Sequence, residues 1–306
     1  MKRFKNILAV YNDQVGADAV LDRAASLGRQ NKAILTLLDV TGEDTPSQPY
    51  LTERERRLER VAQTVSGDGL DIRTRVVTGK PFYEIIRAVL NGKHDLVILA
   101  AESPGGFREL LFGSTSMHLM RKCPCPVWVL KPGSSPAFTK ILAAIDPKEF
   151  DEDANKLNHK ILQLSSSLAE IESAELHVAH AWQITGSDTE SLKSELPPQN
   201  RQDIIQKHAG AAKGRVERLV TPYSERVSTL TQHVHKGDAW DVVSKTEHSI
   251  DADLIVIGTI TNAAMPGFLI GTTAEMVLRQ ASCSVLTVKP DNFVSPIAGE
   301  HSQIVA

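Results

Sequence analysis

Two glycine–hydroxyl pairs stand where anion chemistry is available. Gly113-Ser114 in "FGSTSMHLM" and Gly271-Thr272-Thr273 in "IGTTAEMVL" each close a loop leaving a short apolar strand, and each opens a helical pattern. A helix start leaves backbone N–H groups without internal partners, and a hydroxyl beside them completes a cradle for phosphate. The strands before those loops end in Ala100 and Gly258, and a glycine there lets a ligand approach the backbone. A second set of polar groups ends the opening strand of each segment: Asn12 in "AVYND" and Asp146-Pro147 in "AAIDPKE". A carboxylate at that place accepts hydrogen bonds from an amino group or a ribose hydroxyl. The bland alternative is that Thr272 is an N-cap and Asp146 caps the following helix.

Other candidates carry less. His233 and His235 in "TQHVHKG" lie two apart on a predicted strand and share a face, a spacing that suits a metal, whereas His177 and His180 lie three apart and face opposite ways. Exposed or hydrogen-bonded imidazoles are the favoured reading, and no metal is expected. Cys123 and Cys125 lack the C-x-x-C spacing of redox and zinc sites, and Cys283 aligns with Cys125 as a buried residue opening a final strand. The mixed-sign run "ERERRLER" reads as the solvated face of a helix whose Leu51, Leu58, Ala62 and Val65 face inward. No HIGH-type adenylation motif, S-G-G-x-D-S loop or G-x-S-x-G elbow is present, so no catalytic residue is assigned.

The elements that position these residues repeat along the chain. "HDLVILA" recurs as "ADLIVIG", Gly79 as Gly237, and "KCPCPVWVLKP" as "QASCSVLTVKP", all at the offset that relates Gly113 to Gly271. "KNILAVYN" recurs as "TKILAAID" at a shorter offset, so the second copy carries extra residues, assigned largely to "QITGSDTESLKSELPPQNRQ". "KPGSSPAFT" reads as the linker. Two tandem domains follow, residues 1–132 and 139–290, with 291–306 as a C-terminal tail expected to be loosely ordered. In the first copy, strands are expected near 5–11, 33–40, 71–77, 95–101 and 126–130, with helices near 15–30, 50–65, 82–91 and 114–121. Phe82, Ile85, Ile86, Val89 and Leu90 line one helical face, and "DLVILAA" is apolar without alternation, as in a parallel sheet covered on both sides. Alternating strands and helices of this length give an α/β, doubly wound sheet. Ligands of such sheets sit outside the strand carboxyl ends where the order reverses, here the ends of the first and fourth strands.

Bulk properties narrow the function class. The 306 residues are 42% hydrophobic and 23% charged with a net charge of −3, a soluble globular composition with no broad nucleic-acid-binding charge. Three cysteines give no disulfide framework, and no stretch approaches a membrane span, so a cytoplasmic protein is expected.

The loop spacing resembles the universal stress protein family, whose UspA-like domain carries G-x-x-G-x9-G-[ST] in its nucleotide-binding members. The second copy matches as Gly258, Thr261, Gly271 and Thr272, and the first, degenerate copy as Ala100, Ser103, Gly113 and Ser114. The family's acidic adenine contact falls on Asp146 and on Asn12, and its small apolar contact on Ala181 and Val40. The resemblance spans nearly the whole chain, in the manner of the family's tandem two-domain members. It implies two Rossmann-like, adenine nucleotide alpha hydrolase-like domains with five-stranded parallel sheets, paired within the chain through "PVWVLKP" and "SVLTVKP". It also implies a non-enzymatic stress-response role with ATP or a related adenine nucleotide, with or without magnesium. The nucleotide would be held mainly in the second domain, at Asp146, Pro147, Ala181, Gly258, Thr259, Thr261 and Gly271 to Thr273. A homodimer would follow if another face is sticky. A nucleotide-free scaffold or carrier of an apolar small molecule, and a slow ATPase, are the alternatives.

Overall fold

The apolar runs without alternation form the middle of one continuous sheet of ten strands. The computed structural model describes residues 4–12, 15–42, 45–67, 69–101, 112–133, 137–149, 152–193, 197–259 and 271–298. The first half runs β1 (Asn6–Val10), α1 (Ala17–Asn31), β2 (Ile34–Thr41), α2 (Gln48–Val65), β3 (Asp71–Thr78), α3 (Pro81–Gly92), β4 (Leu96–Ala100), α4 (Ser114–Lys122) and β5 (Val127–Leu130). Every strand and helix of that half lies within three residues of its expected bounds. The second half runs β6 (Lys140–Ala144), α5 (Glu152–Glu172), β7 (Glu175–Trp182), α6 (Ser187–Lys193), α7 (Pro198–Ser224), β8 (Leu230–Lys236), α8 (Ala239–Ile250), β9 (Leu254–Gly258), α9 (Thr272–Gln280) and β10 (Ser284–Val288).

The strand order is β3-β2-β1-β4-β5-β10-β9-β6-β7-β8. Strands within each half are parallel, as their helical crossovers require, and β5 meets β10 antiparallel, with Trp128 opposite Leu286. The last strands therefore pair within the chain and abolish the edge that each five-stranded half would expose. One apolar layer, beneath α1, α2, α5 and α7, includes Trp128 and Phe138; the other lies beneath α3, α4, α8 and α9. A buried Arg23–Glu172 ion pair ties α1 to α5 across the halves, with the Arg23 guanidinium 4.3 Å from the Phe138 ring centre.

Gly79 and Gly237, aligned by the repeat, take φ of +127° and +155° where β3 and β8 turn into the next helix, a conformation that favours glycine. The extra residues of the second copy become α6 and a lengthened α7 of 27 residues, against 18 in α2. The tail departs from expectation. Ser295 and Ile297 are buried, and the 3-10 turn Pro296–Ala298 packs on α3 of the first half, because Ile297 completes its apolar layer. Residues 299–306 lie outside the described residues.

Candidate functional site

In the second half the strand order reverses between β6 and β9, which are parallel neighbours with Ala144 opposite Ile257. Their carboxyl ends open the crevice expected for this topology. Asp146 follows β6, and Asn158 of α5 grips its main chain from both sides. The Asp146 N–H donates to Asn158 Oδ1 at 3.0 Å, and Asn158 Nδ2 donates to the Asp146 carbonyl at 2.9 Å. Asn155, one turn earlier, holds the main chain of Lys148 in the same way. The Asp146 carboxylate stays 46% exposed and takes a 2.8 Å ion pair from Lys148, while Pro147 is buried beside it. Ala181, near the end of β7, is half-buried.

On the neighbouring strand Gly258 serves packing more than ligand approach. A Cβ there would lie 2.8 Å from Leu157 Cδ2 of α5, on the helix side of the strand. Gly271 is not held in a glycine conformation either: its φ and ψ of −71° and 147° are extended, and among the described residues an added Cβ would meet only the Thr259 carbonyl at 3.6 Å. The Gly271 N–H donates to that carbonyl at 2.6 Å and fixes where α9 begins. Among the described residues no side chain caps α9, and Thr272 and Thr273 are exposed at its first turn. Thr259 is buried, and its hydroxyl accepts from Lys289 Nζ at 2.6 Å, so that side chain is committed inward. Thr261 lies outside the described residues.

Lys289, which sequence reasoning passed over as one residue of a repeated "VKP", is the least ordinary group nearby. It is 2% exposed, and burial pulls its ammonium down to about 7.

The first half has the same frame with different fittings. Asn12 stands after β1 and Val40 near the end of β2, both half-buried. The Ala100 Cβ points at the turn into α1, 3.0 Å from where Gly16 would carry a Cβ. Gly113 is an extended N-cap, and Ser114 is exposed at the start of α4, which also lacks a side-chain cap. Ser103 lies outside the described residues. Asp39 of β2 is buried and accepts from Arg54 of α2, whose Nε approaches to 2.7 Å. That bond and the Asp39 charge raise the guanidinium above its ordinary value.

The histidines meet in a way that spacing along one strand cannot reveal. His233 and His235 share a face of β8, and His177 from β7 joins them, its Nδ1 3.0 Å from His233 Nε2. Burial and then the neighbouring imidazoles lower His233. His180 faces the other way; its Nδ1 lies 3.3 Å from the Ile145 carbonyl and its pKa is lowered by burial. Among the described residues, no group of three or more His, Cys, Asp or Glu side chains is arranged to hold a metal ion. Cys123, Cys125 and Cys283 are buried. The Cys123 contact at 3.5 Å and burial push Cys125 up, and burial does the same for Cys283, conditions that suppress thiolate chemistry.

The profile of the Universal stress protein family matches residues 3–131 and again 137–289. Universal stress protein E of Escherichia coli K12 is 28% identical over 97% of this chain and 98% of its own length. The Universal stress protein E homolog of Haemophilus influenzae is 23% identical over 94% of this chain and 98% of its own. Among solved structures, the functionally unknown protein PA1789 of Pseudomonas aeruginosa PAO1 superposes with a TM-score of 0.74 at 22% identity, covering 99% of this chain and 97% of that one. A universal stress protein of Archaeoglobus fulgidus gives 0.64 at 19% identity over 94% and 98%. Those two likenesses show the shared fold.

Proposed function

This chain belongs to the universal stress protein family, and from that premise we propose that it acts in the stress response by binding an adenine nucleotide, ATP or a relative, at the carboxyl edge of its second half. The functional units are residues 1–132 and 139–290, and the protein is a cytoplasmic binding and signalling module rather than an enzyme. The observation that carries this reading is the uncapped start of α9, with exposed Thr272 and Thr273, on the strand end next to the clamped carboxylate of Asp146. Phosphates suit the first: free N–H groups and the positive end of the helix dipole favour an anion. A neutral amino or hydroxyl donor suits the second. Magnesium, where present, would arrive on the phosphates and not on a protein-built cage, since such ions keep several waters and one or two carboxylates. Titration of the purified chain with a fluorescent ATP analogue tests the reading. Saturable binding displaced by ATP is expected, and no binding at about millimolar ligand (a contribution below ~4 kcal/mol) would defeat it.

A further inference from the structure

Lys289 follows β10 and crosses from the second half into the first. Its Nζ donates to the Met120 carbonyl, in the last turn of α4, at 2.6 Å and to Thr259 Oγ1 at 2.6 Å, and it lies 4.7 Å from the Phe293 ring centre. Two of its N–H groups thus meet neutral oxygens and the ammonium stands near an aromatic ring, contacts that hold the group without neutralising it. Among the described residues, no carboxylate pairs with this 2%-exposed amine. From the turn after α4 comes the Cys123 thiol. From α5, Lys160 binds the Lys289 carbonyl and Asp291, outside the burial. Between α4 and α9, Arg121 and Glu275 satisfy each other at 2.8 Å. Among the described residues, this buried cation meets no negative charge, and an anion is the group that would complement it.

The residue it grips leads to the candidate anion site. Thr259 takes Lys289 on its hydroxyl and the N–H of Gly271, the residue that begins α9, on its carbonyl. We propose that Lys289 is a positioning residue that pins both ends of the β9–α9 connection to α4 of the first half, and that a polyphosphate bound at α9 draws a proton onto it. The aligned Lys131 of the first half is different: half-buried, it donates to the Ser282 carbonyl. Among the described residues the device is seen at Lys289, in the half proposed to bind.

The sign follows from linkage. The free amine titrates at about 7, because burial disfavours its charge. An anion nearby raises that value, so binding takes up a proton between the two values and tightens as pH falls through that window. This inference rests on the nucleotide reading, and its test separates the two. Calorimetric titration of the intact chain with ATP at about pH 8.5, above the phosphate pKa of about 6, is run in two buffers of different ionisation enthalpy. Wild type is expected to take up about half to one proton, with ATP affinity falling about tenfold from about pH 7 to 9. Lys289→Met is expected to bind without uptake and with a flat profile. ATP binding to wild type with no proton uptake overturns the role of Lys289 alone, and needs no variant. Uptake that persists in a folded Lys289→Met chain overturns it too. Absence of ATP binding overturns both readings.

Discussion

At the scale of the residue, the strand-end glycine illustrates how a motif can be shared for two reasons. Gly258 matches the first position of the nucleotide-loop pattern, yet its missing Cβ makes room for Leu157, 2.8 Å away. Gly258→Val is therefore expected to destabilise the ligand-free protein by about 1–3 kcal/mol through overpacking. Leu157→Ala in the same chain should return part of that loss, as read by urea unfolding; a simple sum of two losses would contradict the packing account. Most candidate positions were legible from the sequence because they depend on strand ends and helix starts, which periodicity locates. Asp146, Gly271 and Thr272 belong to this set. What was hidden depends on partners distant in sequence: Asn158 clamping Asp146, His177 meeting His233 across strands, and Lys289 reaching Thr259 and Met120. No local pattern marks a lysine whose partners lie 30 and 169 residues away.

At the scale of the element, the helices do more than cover a sheet. α1 and α5 stand at equivalent places of the two halves and meet through Arg23 and Glu172, whose side chains are 8% and 11% exposed. Glu172 also accepts from the Phe138 N–H, so Glu172→Ala takes a buried carboxylate from both Arg23 and that N–H and is expected to cost about 3–5 kcal/mol, while the joint replacement Arg23→Met with Glu172→Leu should cost less. Chemical denaturation of the three variants checks this, and a joint replacement as costly as Glu172→Ala would contradict it. The first-half elements fall where periodicity predicts, because unalternating apolar runs and 3.6-residue spacing both survive in a sheet covered on two faces. The turn at Pro296–Ala298 escaped because a single buried apolar residue, Ile297, in so short a segment has no period to read.

At the scale of the whole molecule, ten strands make one sheet in which two similar halves have diverged. Acid should loosen it as a unit. His94, His118, His180 and His233 are all lowered from 6.5, chiefly by burial, so the unfolded chain binds more protons than the native one once pH drops below that value. Stability is expected to be steady above about pH 7 on their account and to fall as pH drops below about 6.5. Thermal unfolding across that range checks it, and a flat acid limb would contradict it. The proposed nucleotide site belongs to one half: the second has Asp146 after its first strand, and the first has Asn12 there. Titration of ATP into wild type, Gly113→Val and Gly271→Val tests this most directly. Both glycines are extended N-caps, a conformation valine adopts, and at 271 the described atom nearest the added Cβ is the Thr259 carbonyl oxygen at 3.6 Å, an ordinary contact, so the fold is expected to tolerate the change. The account predicts about one equivalent of ATP per chain for wild type and Gly113→Val, with binding at least about tenfold weaker (1.4 kcal/mol) in Gly271→Val. Equal affinity in wild type and Gly271→Val would contradict it.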